Sequence, residues 1–470
     1  MIARKTGAAS LLRLLGNWRP IGSREPAYRL LAAALRLLIL DGRLGLETRL
    51  PGERDLAAAI GLSRGTIAAA FAELRADGFL ASRHGSGSLV TVPSGPAARR
   101  ESTTRIDFSV AASPAGPAIH QAYVEALSAL PAHLSSTGYD AFGIAELRSE
   151  IAAHYAPRGL PTTADEIMVV NGALAGFGLV LRLLTGPGDR VVVDHPTYPL
   201  AIAAIRATGC RPVPVPLPET GWDIDGLAAT ISQTAPRLAY LLPDHHNPTG
   251  RCMDAETRAA VTAIARRSRT MIVADETMVD LWYENEPPPP LAAYDCDGQI
   301  ITLGSTAKSF WGGLRIGWIR APTPIIASLA AIREAVDLGS PVVEQLAVAR
   351  LLAKADTHLP QRRRDLCYRR DMLVSAGEAV LPEWRFPCPA GGLSCWVELP
   401  QPIATRLAVA AEAIGVRIIA GPRFGVDGAF ERNIRMPFTG DVADLRSALE
   451  LIAPLGRQLA REEAPRSRMA

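Results

Sequence analysis

Residues 304–315 read Gly304-Ser305-Thr306-Ala307-Lys308-Ser309-Phe310-Trp311-Gly312-Gly313-Leu314-Arg315 and contain one of only three lysines in the 470-residue chain. Arginine supplies the other 47 of the 50 basic residues. A guanidinium cannot form an imine with an aldehyde, whereas a lysine amine can once burial or a neighbouring charge lowers its pKa. Lys308 is therefore a candidate for covalent attachment of an aldehyde. On composition alone, a solvated surface lysine is the simpler interpretation.

Length and composition indicate an ordinary globular chain of roughly two to three domains. Hydrophobic residues make up 48% of the sequence and charged residues 21%. No apolar run approaches the roughly 18 residues that span a bilayer. The short stretch Leu11–Leu15 is broken by Arg13, so a signal peptide is not expected. We predict a cytoplasmic protein with no membrane partner.

The six cysteines show no C-x-x-C pair and no accompanying histidine cluster. They indicate scattered thiols of a reducing compartment, and no metal site is predicted. His245 and His246 are adjacent, which directs their side chains apart. We interpret both histidines as structural or loop residues.

The formal net charge is only +3, but it is unevenly distributed. Residues 1–100 contain 15 Lys/Arg and 7 Asp/Glu, a net charge of +8, which leaves −5 for the remainder. A basic N-terminal part on a mildly acidic body is typical of a nucleic-acid-binding module joined to another domain.

Residues 26–92 carry the pattern of three helices followed by a hairpin. Apolar residues recur at helical spacing, glycines end the helices, and Ser63 has the place and chemistry of an N-cap. This order predicts a winged helix-turn-helix. The predicted helices are Pro26–Leu40, a second from Pro51-Gly52-Glu53 to Ile60, and Arg64–Asp77; the predicted strands are Phe79–Ser82 and Ser88–Val92.

This part of the chain resembles the GntR family of bacterial repressors. The matching runs are Leu50-Pro51-Gly52-Glu53-Arg54-Asp55-Leu56-Ala57, Gly61-Leu62-Ser63-Arg64-Gly65-Thr66-Ile67, Gly78-Phe79-Leu80 and His84-Gly85-Ser86-Gly87. The resemblance implies binding to a double-stranded DNA operator. It places the following residues at the DNA, the last two at the wing tip: Arg54, Ser63, Arg64, Thr66, His84 and Gly85.

The physical properties of these residues agree with that role. A helix N-terminus offers N–H groups to phosphate, and Arg64 in the first turn can reach guanine edges. Ser63 could nevertheless act only as a cap, and Thr66 could bond its own backbone. Ala68 stands where many relatives carry a basic residue, so we expect the operator to be recognised partly by its shape.

Beyond residue 92 the composition predicts a tether followed by a larger domain. Residues 93–105 are rich in turn formers and lack apolar periodicity. We expect an effector domain over residues 106–455, with a smaller C-terminal part over about 340–455. Residues 1–25 are predicted to be an N-terminal extension, and residues 456–470 a charged, frayed tail.

In the body, strand-like apolar runs alternate with helical stretches, which predicts an α/β domain with a largely parallel sheet. Functional residues then gather in the loops beyond the strand ends. The predicted strands are Ile167–Val170, Arg190–Val193, Leu238–Leu242, Met271–Ala274, Ile300–Leu303 and Gly317–Ile319.

Three of these loops carry suitable chemistry. Asn171-Gly172-Ala173-Leu174 is a small-residue turn that opens a helix and offers backbone N–H groups to a phosphate. Asp244-His245-His246-Asn247-Pro248-Thr249-Gly250 follows the third predicted strand, and Asp275-Glu276 follows the fourth. Lys308 comes 33 residues after Asp275.

Asn-Pro-Thr-Gly, Asp-Glu and Ser-x-x-Lys…Arg, in this order, resemble the fold-type I enzymes of the aspartate aminotransferase family over some 340 residues. That resemblance implies a three-layer α/β fold with a smaller C-terminal α+β part, and pyridoxal 5′-phosphate (PLP) as cofactor. Lys308 would form the Schiff base with PLP. Asp275 would pair with the pyridinium nitrogen, and Asn247 would bond the ring hydroxyl.

The same resemblance implies the remaining contacts. Tyr198, in Pro196-Thr197-Tyr198-Pro199, would stack on the ring face. The phosphate would be held by Gly172, Ala173, Leu174, Ser305 and Arg315.

Two further residues concern the partner subunit and the ligand. Tyr139 would reach the phosphate of a neighbouring subunit, which implies a homodimer. Arg435 would bind the α-carboxylate of an amino acid. Taken singly, Asp275 could instead be a helix cap, Tyr198 a core aromatic residue and Arg435 a surface ion-pair partner.

One position departs from the aminotransferase pattern. The family usually places a tyrosine two or three residues after the aspartate, where it bonds the ring oxygen. Here those positions hold Thr277 and Met278. Asn247 can still hold the oxygen, so we expect PLP binding without tuning for fast transamination.

A GntR-type domain joined to an aminotransferase-like body resembles the MocR subfamily of transcription regulators. The combination implies that PLP, or a small amine or amino-acid effector exchanging at Lys308, changes operator affinity. Two alternatives remain open. One is a catalytically active PLP-dependent aminotransferase with an accessory DNA-binding domain, and the other is a DNA-binding protein whose aminotransferase fold serves only for dimerisation.

Overall fold

The computed structural model describes residues 5–16, 18–19, 26–40, 43–45, 47–83, 87–91 and 106–463. The predicted wing-tip residues His84 and Gly85 and the predicted linker 93–105 lie outside these ranges. Within them the chain forms an N-terminal helical unit, a large α/β part and a smaller α+β part. The predicted fold class is confirmed.

The N-terminal unit is a winged helix-turn-helix. Its helices are held by buried side chains one helical turn apart, such as Leu31 and Leu35, and Ile67 and Phe71. Gly61 adopts a left-handed φ of +74° and turns the chain from one helix into the next. The elements are α1 (Ala8–Leu15), α2 (Ala27–Leu40), α3 (Glu53–Ile60), α4 (Arg64–Ala76), and the antiparallel strands β1 (Leu80–Arg83) and β2 (Gly87–Val90).

Helix α1 lies in the predicted N-terminal extension and was not expected from the sequence. Leu11 and Leu15, one turn apart, are buried in the same core as α2, α3 and α4. None of the described helices is by itself long and apolar enough to cross a membrane. Helices α3 and α4 taken together reach that length and apolar composition, but the chain bends by 117° between them.

After the linker the chain enters a seven-stranded sheet of order β4-β10-β9-β8-β7-β5-β6, in which β10 alone runs antiparallel to its neighbours. Each of the six predicted strands coincides with one of these. The missed strand is β6, whose alternating prolines suit an edge strand. The strands of this sheet are β4 (Ile167–Val170), β5 (Arg190–His195), β6 (Arg211–Pro216), β7 (Leu238–Leu241), β8 (Met271–Asp275), β9 (Ile300–Ser305) and β10 (Gly317–Arg320), and the short strand β3 (Ile106–Asp107) lies outside it.

Helices cover both faces of the sheet, so two separate hydrophobic cores lie against it. Strands β4, β7 and β9 are buried along their whole length, which explains their continuous apolar runs. The covering helices are α5 (Pro117–Ala129), α6 (Ala145–Tyr155), α7 (Ala173–Leu184), α8 (Pro199–Ala207), α9 (Ile224–Thr234), α10 (Ala255–Ser268), α11 (Thr306–Ser309), α12 (Thr323–Arg333) and α13 (Val342–Leu352).

The small subdomain packs two long helices on a three-stranded antiparallel sheet. The short strand β3 joins it by pairing with β12, which brings the chain that leaves the linker beside this subdomain. Its elements are α14 (Ala355–Val380), β11 (Ser394–Glu398), α15 (Ala404–Ala413), β12 (Val416–Arg417), β13 (Ile419–Ala420), β14 (Asn433–Pro437) and α16 (Val442–Glu463).

The prediction that the chain frays from Gly456 was wrong for residues 456–463. Helix α16 continues to Glu463, and Leu459 is buried in the core of the small subdomain. The buried guanidinium of Arg406 bonds both Glu462 (2.6 Å) and Glu463 (3.0 Å). The charges that suggested a solvated tail are therefore partners of an internal arginine.

A fully buried ion pair fixes the loop that carries Asn247. Arg258 Nη2 of α10 lies 2.6 Å from Asp244 Oδ1, and both side chains are completely inaccessible. The same guanidinium donates to the carbonyls of Met253 (2.9 Å) and Pro289 (3.2 Å). Removal of one partner would leave the other charge buried without compensation.

We expect Arg258→Ala to lower the free energy of unfolding by about 3–5 kcal/mol, because Asp244 would lose its buried counter-ion. Urea denaturation followed by tryptophan fluorescence measures this change. The matched control is Arg446→Ala, which removes an exposed i,i+4 pair with Glu450 and should cost less than about 1 kcal/mol. Equal effects of the two substitutions would contradict the prediction.

Candidate cofactor pocket and DNA-binding surface

A cavity of about 660 Å³ opens at the C-terminal edge of the large sheet, between the sheet and the small subdomain. Its wall brings together four residues that the sequence placed in one site although they are up to 237 positions apart. These are Tyr198, Asn247, Lys308 and Arg435.

Lys308 lies in the short helix α11, directly after β9. Ser305 opens this helix by accepting a hydrogen bond from the backbone N–H of Ala307 (3.1 Å). Lys308 Nζ donates to the carbonyl of Ala111 at 2.8 Å. Burial and the charge of Arg435 lower the pKa of Lys308 to about 8, while Asp275 acts in the opposite direction. The amine is therefore closer to its nucleophilic neutral form than an ordinary lysine.

Asp275 ends β8 at the same edge of the sheet and is buried. Its Oδ2 accepts from the hydroxyl of Tyr240 (2.5 Å), and its Oδ1 accepts from the backbone N–H of Thr277 (3.1 Å). Burial raises the pKa of Asp275, although both hydrogen bonds and Lys308 oppose this shift. These two hydrogen bonds hold the carboxylate in one orientation.

Tyr240 was not predicted to belong to the site. A signal was present, because it is a tyrosine in the otherwise aliphatic buried strand Leu238–Leu241. A buried phenol needs a hydrogen-bond partner, and the neighbouring parallel strand β8 supplies Asp275. Met278, one of the two positions at which the family would place a tyrosine, is buried in the core of the small subdomain.

The predicted phosphate turn is assembled around Arg315. Gly172 has a φ of +92°, and a Cβ there would lie 2.8 Å from Arg315 Nη2, so only glycine allows this approach. The same Nη2 donates to the carbonyl of Asn171 at 3.0 Å. Helix α7 begins at Ala173. The backbone N–H groups of its first turn, which include those of Ala173 and Leu174, point toward the N-terminal end of the helix.

The donor set fits PLP. A helix N-terminus with an adjacent guanidinium suits a phosphate dianion, a buried carboxylate suits a pyridinium nitrogen, and a buried amine of lowered pKa suits an aldehyde. Two buried polar atoms in the pocket residues, Asn247 Oδ1 and Arg435 Nε, have no hydrogen-bond partner within the described part of the chain. Such atoms in a cavity wall indicate a polar ligand.

Seven of the predicted contact residues are not among those that line the cavity: Tyr139, Gly172, Ala173, Leu174, Asp275, Ser305 and Arg315. Tyr139 is 73% exposed and is not among the residues that line the cavity. Ser305 Oγ is engaged by Ala307 and by the carbonyl of Ile316 (3.4 Å). Among the described residues no group of three His, Cys, Asp or Glu side chains is arranged to hold a metal ion.

His245 and His246 are both buried in the loop before Asn247. Burial lowers the pKa of His245 to about 4 and that of His246 to about 3, so both rings are neutral. His246 Nδ1 lies 3.0 Å from Thr249 Oγ1, which braces the turn that presents Asn247.

The DNA-facing surface is centred on the start of α4. Ser63 Oγ accepts from the backbone N–H of Thr66 at 3.1 Å and so caps the helix, and it lies 2.8 Å from Thr66 Oγ1. Arg64 is 61% exposed in the first turn, and Glu53 Oε2 lies 3.5 Å from its Nε. Arg54 is also exposed, on α3. Two cations thus lie on the solvent side of the helix-turn-helix.

Comparison with known families agrees with this division of the chain. The aminotransferase class I and II model matches residues 115–452, and the model of the gntR family of bacterial regulatory proteins matches residues 27–90. The chain belongs to the aminotransferase class I and II family. Its N-terminal part is a GntR-type DNA-binding domain, and the cofactor of the aminotransferase domain is PLP.

Several relatives share this two-part organisation over most of their length. The uncharacterized HTH-type regulator YisV of Bacillus subtilis is 28% identical over 95% of this chain and 99% of its own. TauR of Rhodobacter capsulatus is 29% identical over 84% and 88%, and the probable rhizopine catabolism regulator MocR of Rhizobium meliloti is 28% identical over 76% and 78%. This aminotransferase-family chain therefore has the layout of the MocR-type regulators.

Among solved structures, the α-aminoadipate aminotransferase LysN of Thermus thermophilus, complexed with N-(5′-phosphopyridoxyl)-L-leucine, superposes with a TM-score of 0.69. The alignment covers 79% of this chain and 96% of LysN at 23% identity. The likeness supports the fold of the aminotransferase domain.

We expect the rate of PLP attachment to cofactor-free protein to rise with pH and to level off above about 8, because only the neutral amine of Lys308 attacks an aldehyde. Stopped-flow absorbance between pH 6.5 and 9.5 measures the rate. A midpoint near 10.5, the ordinary lysine value, would contradict the burial argument.

Two variants should move this midpoint in opposite directions. Arg435→Gln removes a cation that lowers the pKa of Lys308, so the midpoint should rise. Asp275→Asn removes the carboxylate that raises it, so the midpoint should fall.

Proposed function

We propose that this protein is a transcription regulator whose aminotransferase-like domain senses a small amine or amino acid at Lys308 and thereby changes the affinity of its winged helix for an operator. The observation that supports it is the presence, in one chain, of a buried lysine with a pKa of about 8 and a capped recognition helix with an exposed arginine in its first turn. A catalyst alone has no use for the second feature.

The cofactor contacts follow from the donor set. Lys308 holds PLP covalently, Asp275 pairs with its ring nitrogen, Asn247 bonds its ring hydroxyl and Tyr198 covers its ring face. When bound, PLP withdraws electrons from the carbon next to an attached amine. The phosphate is held by Gly172, Ala173, Leu174, Ser305 and Arg315.

Two residues extend the proposal to ligand and subunit. Arg435 is buried with an unpartnered Nε facing a neighbourhood that also holds Lys308, so it binds the carboxylate of an amino-acid effector. Tyr139 is exposed on its own chain and completes the phosphate site of a second copy, so the working form is a homodimer.

On the DNA side, Arg64 contacts base edges in the major groove, while Arg54, Ser63 and Thr66 position the domain on the phosphates. The wing residues His84 and Gly85 are assigned to the same surface by their place in the sequence.

Lys308→Ala should abolish the visible absorption band of attached PLP, because Lys308 is the only lysine among the described residues that line the cavity. Reconstitution with PLP followed by absorbance and by mass spectrometry of the borohydride-reduced protein measures this. Lys354→Ala is the matched control, since Lys354 forms an exposed pair with Glu125. An unchanged band in Lys308→Ala would refute the assignment, and rapid turnover of amino acids by the wild type would favour the aminotransferase alternative.

Arg64→Ala and Arg54→Ala should weaken operator binding in different ways. Loss of a base contact by Arg64 should cost about 1–3 kcal/mol and relax the sequence preference. Loss of a phosphate contact by Arg54 should weaken all sequences alike and reduce the slope of log K against log salt by about 1. Fluorescence anisotropy with selected and scrambled duplexes separates the two. Identical behaviour of both variants would refute the division of roles.

A further inference from the structure

The outer wall of the cofactor cavity is formed by the DNA-binding domain. Ala33, Arg36 and Leu37 of α2 line the same cavity as Lys308 and Arg435. Leu37 also packs against the hydrophobic core of the small subdomain, where α2 contacts α15. A ligand that extends outward from Lys308 therefore meets α2.

Arg36 connects this wall to the recognition helix. Its Nη2 lies 2.5 Å from Asp77 Oδ2 and 3.5 Å from Glu73 Oε1, at the C-terminal end of α4. The arginine side chain is 29% exposed, so the pair is accessible to a competing anion. An acidic group in the cavity can bond Arg36 in place of the two carboxylates of α4.

The charge of the cavity wall favours such an acidic group. Besides Lys308 and Arg435, the wall contains Arg36, Arg417 and Arg423 but only one carboxylate, Glu412. Glu412 is engaged by Arg417 at 2.8 Å. Burial lowers the pKa of Arg435 to about 10; Tyr198 opposes this shift, and the positive charge of Arg423 adds to it. A ligand anion would relieve the repulsion between Arg423 and Arg435.

We propose that α2 completes the effector site and that the effector is an amino acid with a second acidic group, whose distal acid is bound beside Arg36 and Arg423. This inference rests on the proposed function, because it takes Lys308 and Arg435 as the anchors of the amino-acid end. The proposal explains how ligand binding changes DNA binding. The ligand contacts Arg36 and so competes for this arginine with Glu73 and Asp77 at the C-terminal end of α4.

The acidic class is tested with isosteric pairs of probes. L-Glutamate and L-aspartate are compared with L-glutamine and L-asparagine on full-length, PLP-loaded protein, with the change in the PLP absorption band as the measure of binding. We expect each acid to bind at least about tenfold more tightly than its amide, the effect of a charge-assisted hydrogen bond. In Arg36→Gln this preference should shrink to within about twofold. Equal binding of acids and amides by the wild type would overturn the acidic class.

The part played by α2 is tested with Ala33→Gln, which adds a side chain that a helix tolerates at the cavity wall. L-Glutamate should bind at least about fivefold more weakly, while the absorption band shows that PLP is still attached. The control Ala9→Gln, at an exposed position of α1, should bind L-glutamate like the wild type. Unchanged affinity in Ala33→Gln would overturn the role of α2.

Linkage supplies an independent measurement. Saturating operator must change the Kd for L-glutamate by the same factor as saturating L-glutamate changes the Kd for operator. We expect a factor of about five or more in the wild type and a factor near one in Arg36→Gln. A factor near one in the wild type would overturn the coupling. Absence of the PLP band, or of any spectral response to amino acids, would instead refute the proposed function.

Discussion

Burial of Lys308 between charges of opposite sign is the constraint on which the rest of the pocket depends. Arg435 and desolvation favour the neutral amine, and Asp275 favours the charged one. Asp275 can occupy this position only because Tyr240 and the backbone of Thr277 satisfy its oxygens. The strand order brings these groups together, since β7, β8 and β9 are parallel neighbours that end at one edge. The chemistry of this site therefore depends on the order of the strands in the sheet.

The same cations hold the chain that leads to the DNA-binding domain. Arg435 Nη2 donates to the carbonyl of Ser109 at 2.6 Å, and Lys308 Nζ donates to that of Ala111 at 2.8 Å. Both carbonyls follow β3, directly after the linker. A carboxylate bound at Arg435 must compete with a backbone carbonyl of this segment. The cavity is thus bounded by α2 of the DNA-binding unit, and its cations also bond the segment that follows β3.

The sequence predicted what local patterns determine and missed what distant contacts determine. Strand positions followed from buried apolar runs, and the cap at Ser63 followed from its place before a helix. The inward face of α2 was predicted from Leu31 and Leu35, but Ala33 and Leu37 form a second stripe whose partner is some 370 residues away. No periodicity identifies such a partner. Tyr240 was missed for the same reason, since its role depends on a neighbouring strand.

The distribution of polar groups around the cofactor site favours a sensor over a fast catalyst. Tyr240 donates a hydrogen bond to Asp275, the residue that the proposed function assigns to the ring nitrogen. On the oxygen side, the two positions where aminotransferases usually carry a tyrosine are Thr277 and Met278, and the Met278 side chain is buried in the core of the small subdomain. Its replacement by a phenol would require a polar group within that core. Under the proposed function, the domain has the groups assigned to PLP binding without the tyrosine typical of aminotransferases, and the cavity extends to helix α2 of the DNA-binding unit. A site that holds its ligand against that helix has the properties a regulator needs.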